Sequence, residues 1–127
     1  MQKDLKYRVK LYRDQQGRRP IKEYLDGLAS KTDKSSRIKL GSIDYHLQAL
    51  RKYGTRAGEK IVKHIVDDIW ELRPLKDRIF FFYWKDDTFI LLHHFHKKTQ
   101  KTPPQEIEQA KRNLRDFIER SKNDGRK

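Results

Sequence analysis

Residues 69–98 read IWELRPLKDRIFFFYWKDDTFILLHHFHKK, and this stretch decides the fold. It breaks into three short runs rich in aromatic and branched side chains, separated at Lys76-Asp77 and at Asp86-Asp87. The spacing predicts strands over Ile69–Leu75, Arg78–Lys85 and Thr88–Lys97, joined by tight turns into an antiparallel meander. In the first run Trp70 and Leu72 fall on one face and Ile69, Glu71 and Arg73 on the other. Phe80–Phe82 and Phe89–Leu92 are apolar on both faces, so these strands are expected to be central and covered by helices.

The flanks supply those helices. Lys6–Tyr12 (KYRVKLY) alternates and predicts a strand, followed by a turn at Asp14–Arg19 built around Gly17. Pro20 then stands where a first helical residue would, and Ile21, Tyr24, Leu25 and Leu28 make an apolar stripe. Ser30–Ser36 is a loop or helix start. A second helix to Tyr53 is marked by Leu40, Ile43, Leu47 and Leu50, with Gly54 as its stop. Thr55–Asp68 reads as loop with a turn or short strand. Thr102-Pro103-Pro104-Gln105 fits a capping box ahead of a last helix, whose inner face is Ile107, Ala110, Leu114 and Phe117. The expected order is β-α-α-β-β-β-α, and the segregated strands and helices place the chain in the α+β class. One domain is expected over residues 1–120, with Ser121–Lys127 as a polar tail.

Composition narrows the chemistry. The 127 residues include 31 Lys and Arg against 18 Asp and Glu, a formal charge of +13. Such a field attracts polyanions and makes binding salt-dependent. Nucleic acid comes first, then anionic lipid or an acidic protein partner. There is no cysteine, which excludes thiolate metal sites and cysteine nucleophiles and suits a reducing cytoplasm. MQKDLKYRVK holds no apolar stretch, so no signal peptide is expected, and the apolar runs are too short to span a bilayer.

The end of the stretch carries the candidate site. On a strand, His94 and His96 share one face while His93 points to the other, so the three do not converge as metal ligands. Lys97 and Lys98 also repel a cation, and neither metal nor cofactor is expected. A phosphate grip fits better. In a meander the end of the first strand, the start of the second and the end of the third lie on one side, so Arg73, Arg78, Lys97 and Lys98 can converge on one rim. The plainer alternatives are ion pairs, Arg73 with Glu71 and Arg78 with Asp77 or Asp86, and a solvated strand end for the lysines. Arg56, Lys60, Lys63 and His64 add a basic segment that either contacts a nucleic-acid backbone or forms a solvated loop. Tyr83 and Trp84 either stack bases or pack in the core.

VKLYRDQQGRRPIKEYL, IWELRPLKDRIFFFYW and ILLHHFHKKTQKTPPQEIEQAKRNL, together with Glu71-Leu72-Arg73 and Phe95-His96-Lys97-Lys98-Thr99-Gln100-Lys101-Thr102-Pro103, resemble the HigB-type, phage-derived branch of the RelE toxin superfamily. The resemblance runs from Val9 to about Phe117. It implies a compact sheet with packed helices. It also implies a metal-independent endoribonuclease, the toxin of a type II toxin–antitoxin system, cutting mRNA on the ribosome in the cytoplasm. The implied partner is a HigA-type helix-turn-helix antitoxin, in a hetero-oligomer. Arg73, Arg78, Lys97 and Lys98 match basic positions of the family, and His93 matches a histidine often found there. No tyrosine lies in Thr99–Thr102, where some RelE-like toxins carry one. Arg73 and Arg78 are therefore the expected phosphate stabilisers, His93 the first acid–base candidate and Lys97 the second, with Lys98 and Lys101 on the RNA backbone. A non-catalytic RNA- or DNA-binding module, or a basic protein-interaction module, would use the same rim without cleavage.

Overall fold

A computed structural model describes residues 5–124. The elements in chain order are β1 (Arg8–Leu11), α1 (Pro20–Ala29), α2 (Lys34–Tyr53), β2 (Val62–Val66), β3 (Ile69–Leu72), β4 (Asp77–Lys85), β5 (Thr88–His96) and α3 (Pro104–Asp124), with one 3-10 turn at Gly54–Ala57 after α2. They form a mixed α/β arrangement, consistent with α+β. The five strands make one sheet in the order β1-β5-β4-β3-β2. β2 to β5 are an antiparallel meander, and β1 lies parallel to β5 at one edge. The chain thus leaves β1 at one edge, crosses a face through α1 and α2, and enters β2 at the far edge.

One strand stands outside the expected element order. Val62–Val66 falls in the segment read as loop, and it extends the three-strand meander to four. The alternation that marks a strand is broken there by a bulge between His64 and Val66. Ile65 and Val66 consequently pack against the same apolar cluster. The other corrections lie at element ends. β3 stops at Leu72, Asp77 opens β4, β5 ends at His96, and Ser121–Asp124 continue α3 where a tail was expected. The rest of that expected tail, 125–127, lies outside the described residues. α3 begins at Pro104, so Pro103 takes the position expected of Thr102, and the Glu106 amide donates to the Pro103 carbonyl.

Local chemistry accounts for the element ends. The Asp33 carboxylate caps α2, accepting from the Ser36 amide at 2.9 Å and the Ser36 hydroxyl at 2.8 Å. Gly54 ends the helix at φ 63°, and a Cβ there would sit 2.9 Å from the Tyr7 ring. Asp86 and Asp87 both take left-handed backbone, the geometry a two-residue hairpin needs.

The sheet is buried on both faces, as its apolar runs require. On one face Leu72, Ile79, Phe81, Phe89 and Leu91 pack with Ile21 and Leu28 of α1 and Ile43 and Leu50 of α2. On the other Ile69, Phe80, Phe82, Ile90 and Leu92 meet Ala110, Ile107, Leu114 and Phe117 of α3. Both layers hold the strand ends that carry Arg73, Arg78 and His96 in fixed register.

Candidate functional site

The pairings Leu72 with Ile79 and Asp77 with His96 bring the end of β3, the start of β4 and the end of β5 to one side of the sheet. The Lys97 amide donates to the Lys76 carbonyl at 2.7 Å, closing β5's exit onto the β3–β4 connection. Between them lies an open cleft of about 770 Å³, lined by Arg73, Lys76, Arg78, His96, Lys97, Lys98, Thr99 and Gln100. The expected rim of Arg73, Arg78, Lys97 and Lys98 is therefore assembled, although its members lie at or just beyond the ends of three different strands.

Glu71 anchors the two arginines. Its carboxylate is 1% exposed, and one oxygen lies 3.3 Å from Arg73 Nε and 3.7 Å from Arg78 Nε. Arg73 Nη1 also donates to the Glu59 carbonyl at 2.9 Å. Arg78 Nη1 donates to the carbonyls of Leu75 at 2.7 Å and Asp77 at 2.8 Å. The Glu71 ion pair, weighed from sequence as a minor surface contact, is instead a buried clasp. One carboxylate set against two guanidiniums leaves a positive charge facing the cleft. Burial pulls the Arg78 guanidinium below its ordinary range, partly opposed by Glu71 and reinforced by Arg73. An arginine starts so high that it stays charged.

The histidines divide between the two faces. His93 lies on the α3 side, its Nε2 2.6 Å from the Glu106 carboxylate, and is not part of the cleft lining. The first acid–base candidate therefore stands outside the cleft. The reason is strand parity: one residue further along β5 reverses the face. His96 lines the cleft instead, with its side chain 42% exposed. Its Nδ1 sits 3.3 Å from Asp77 Oδ1. His94 Nε2 approaches the same oxygen at 3.2 Å, and its ring stacks on Tyr24 at 3.9 Å between centroids. The Tyr24 hydroxyl donates to Asp77 Oδ2 at 2.8 Å. Burial alone would raise the Asp77 pKa, but the bonds from His94, Tyr24 and His96 outweigh it and hold the group at about 2. An ionised Asp77 facing Nδ1 fixes the neutral His96 ring with its proton on that nitrogen. Nε2 is then the atom that can accept a proton. The ring nitrogens are aimed at the carboxylate, and among the described residues no group of three His, Cys, Asp or Glu is arranged to hold a metal ion.

The remaining candidates are scattered. Arg56, Lys63 and His64 line a separate recess of about 450 Å³ with Glu59 and Trp70, beside β2. There His64 Nε2 meets the Asp67 carbonyl at 2.7 Å. Lys60 is not among that lining, and Lys101 is not among that of the main cleft. The Lys101 carbonyl accepts from the Thr99 hydroxyl at 2.7 Å. Trp84 packs edge-on against Phe117, and Tyr83 packs against Phe89 while staying half-exposed. Sequence reasoning missed Lys76 and gave His96 no catalytic part. The signal for His96 was present, because it shares a face with His94 and follows the strand residues nearest the rim.

No helix among the described residues is long and apolar enough to cross a membrane. Residues 30–115 match a family model described as phage-derived protein Gp49-like. No curated protein matches the chain.

Proposed function

The chain belongs to the phage-derived Gp49-like family, and on that footing we propose that it is the toxin of a type II toxin–antitoxin pair. It is a HigB-type member of the RelE superfamily, an endoribonuclease that cuts mRNA on the ribosome in the cytoplasm. Its partner is a HigA-type helix-turn-helix antitoxin that holds it in an inactive complex. The observation that carries this reading is the cleft itself. Arg73, Arg78, His96, Lys97 and Lys98 meet in one open groove of about 770 Å³ on a strongly basic protein.

The reaction this arrangement suits is attack of a ribose 2′-hydroxyl on the adjacent phosphorus. The new bond is P–O2′, the broken one is P–O5′, and the products are a 2′,3′-cyclic phosphate and a 5′-hydroxyl. Arg73 and Arg78 stabilise the charge that builds on the phosphorane. His96 Nε2 takes the 2′-hydroxyl proton, and Asp77 stabilises the imidazolium that results. Lys97 and Lys98 hold the flanking backbone, and Lys97 protonates the leaving 5′-oxygen. The positive lining disfavours a bound divalent cation, so the chemistry runs on side chains alone.

Expression without a partner should arrest growth, and Arg73→Ala should relieve the arrest at equal abundance with the fold retained. Cleavage sites mapped on ribosome-bound mRNA should carry cyclic phosphate ends. A wild-type protein that binds RNA tightly but leaves it intact would instead favour a non-catalytic binding module.

A further inference from the structure

Beside the cationic cleft lies a second cavity of about 630 Å³ whose walls are mostly apolar. The two adjoin, since Lys76 and His96 line both. Two large aliphatic side chains project into it from exposed positions. Ile38 on α2 is 52% exposed and Leu75 in the β3–β4 connection is 56% exposed. Leu75 also holds left-handed backbone at φ 54°, a conformation that disfavours leucine and suits glycine. Its carbonyl is gripped by Arg78 Nη1 at 2.7 Å, so a cleft guanidinium helps keep the leucine in this pose. Strain at an exposed aliphatic residue, held by a neighbouring binding group, marks a position shaped for contact rather than for packing.

We propose that this cavity seats the base of a nucleotide whose phosphate lies in the cationic cleft, with the ring held between Ile38 and Leu75. The proposal rests on the RNA-cleaving reading above and adds where the base goes. The volume falls within the roughly 300–1,000 Å³ of small-molecule sites. Lys34 and Lys39 stand at the apolar walls, so the surroundings favour an anionic ligand with a flat apolar part. A nucleotide has that form. The one carboxylate in the lining, Asp77, already accepts from Tyr24 and faces both His94 and His96. It has little capacity left to read base edges. The seat therefore takes any base by apolar contact and prefers purines over pyrimidines only through their larger area.

The test is an amide chemical-shift titration of the ¹⁵N-labelled protein at low salt with ribose 5-phosphate, UMP and AMP. All three should move Arg73, Lys97 and Lys98. Only the nucleotides should move Ile38 and Leu75. Ile38→Ser and Leu75→Gly should each weaken AMP by about five- to tenfold, in line with the smaller effects seen for base stacking, and leave ribose 5-phosphate unchanged. Both variants alter exposed side chains, and melting curves check that they fold. If the nucleotides bind no differently from the sugar phosphate, the base seat is wrong and the phosphate reading stands. If none of the three moves the cleft, the phosphate reading falls and the seat with it. Signals of Ile38 and Leu75 that ignore nucleotide but respond to an acidic peptide would give the cavity to a protein partner.

Discussion

His93 and His96 differ by three positions and by everything that matters for proton transfer. His96 lines the cleft with Asp77 behind it, while His93 faces α3 and Glu106. His96→Ala should therefore lower cleavage by about 10²–10⁴-fold, the usual contribution of a positioned acid–base group. His93→Ala should leave the rate within a few-fold and show its effect in thermal melting. Loss of cleavage in the His93 variant alone, with His96→Ala still active, would reverse the assignment. Glu71 offers a different test. Its charge is 1% exposed and faces two guanidiniums. Glu71→Gln keeps the shape but removes the ion-pair partner shared by both guanidiniums, which should cost roughly 3–5 kcal/mol in urea unfolding. A change near zero would mean that solvent reaches the clasp and already screens it.

At the scale of elements, the segment that follows β1 is tied to α3 by a small polar cluster. The Tyr12 hydroxyl donates to Asp116 at 2.6 Å, Gln15 donates to the other oxygen at 3.0 Å, and Arg120 reaches both Asp116 and the Arg13 carbonyl. The Arg120 bond, helped by Tyr12 and Gln15 and opposed by burial, lowers Asp116 from 3.8 to about 2. A carboxylate depressed on folding adds stability that is complete above its unfolded pKa and is lost as pH falls through the folded one. The contribution of Asp116, about 2 kcal/mol at neutral pH by linkage, should thus fade between about pH 4 and pH 2. Asp116→Asn should flatten that part of a stability–pH curve measured by urea unfolding, and an unchanged slope would remove Asp116 from the account. The elements themselves show what a sequence can and cannot disclose. α1 and α2 were legible because a period of 3.6 runs through them, and β3, β4 and β5 because runs of aromatic and branched side chains end at short polar breaks. β2 was hidden by its bulge at Ile65 and by Lys63 and His64, which put polar groups where alternation would want a core residue. The rim of Arg73, Arg78, Lys97 and Lys98 was legible from meander topology. The role of His96 was not, because it depends on Asp77 opening β4 rather than closing a turn.

At the scale of the whole molecule, charge and cleft act together. A formal +13 makes any polyanion contact steeply salt-dependent and speeds encounter with an acidic partner. An antitoxin that covers the cleft should protect the amides of residues 93–101 from hydrogen exchange in the complex. Protection confined to Pro20–Leu28 and Ser36–Tyr53 would point instead to exclusion from the ribosome by bulk. The sheet order carries a further consequence, in time rather than space. β1 pairs with β5 across some 80 positions of chain, and the apolar face of Phe80, Phe82, Ile90 and Leu92 packs against α3, which follows it in the chain. During synthesis the strands that carry Arg73 and Arg78 emerge ahead of the helix that packs beneath them. Long-range pairing of this kind forms slowly and late. A nascent chain therefore leaves that apolar face uncovered until α3 has emerged and docked.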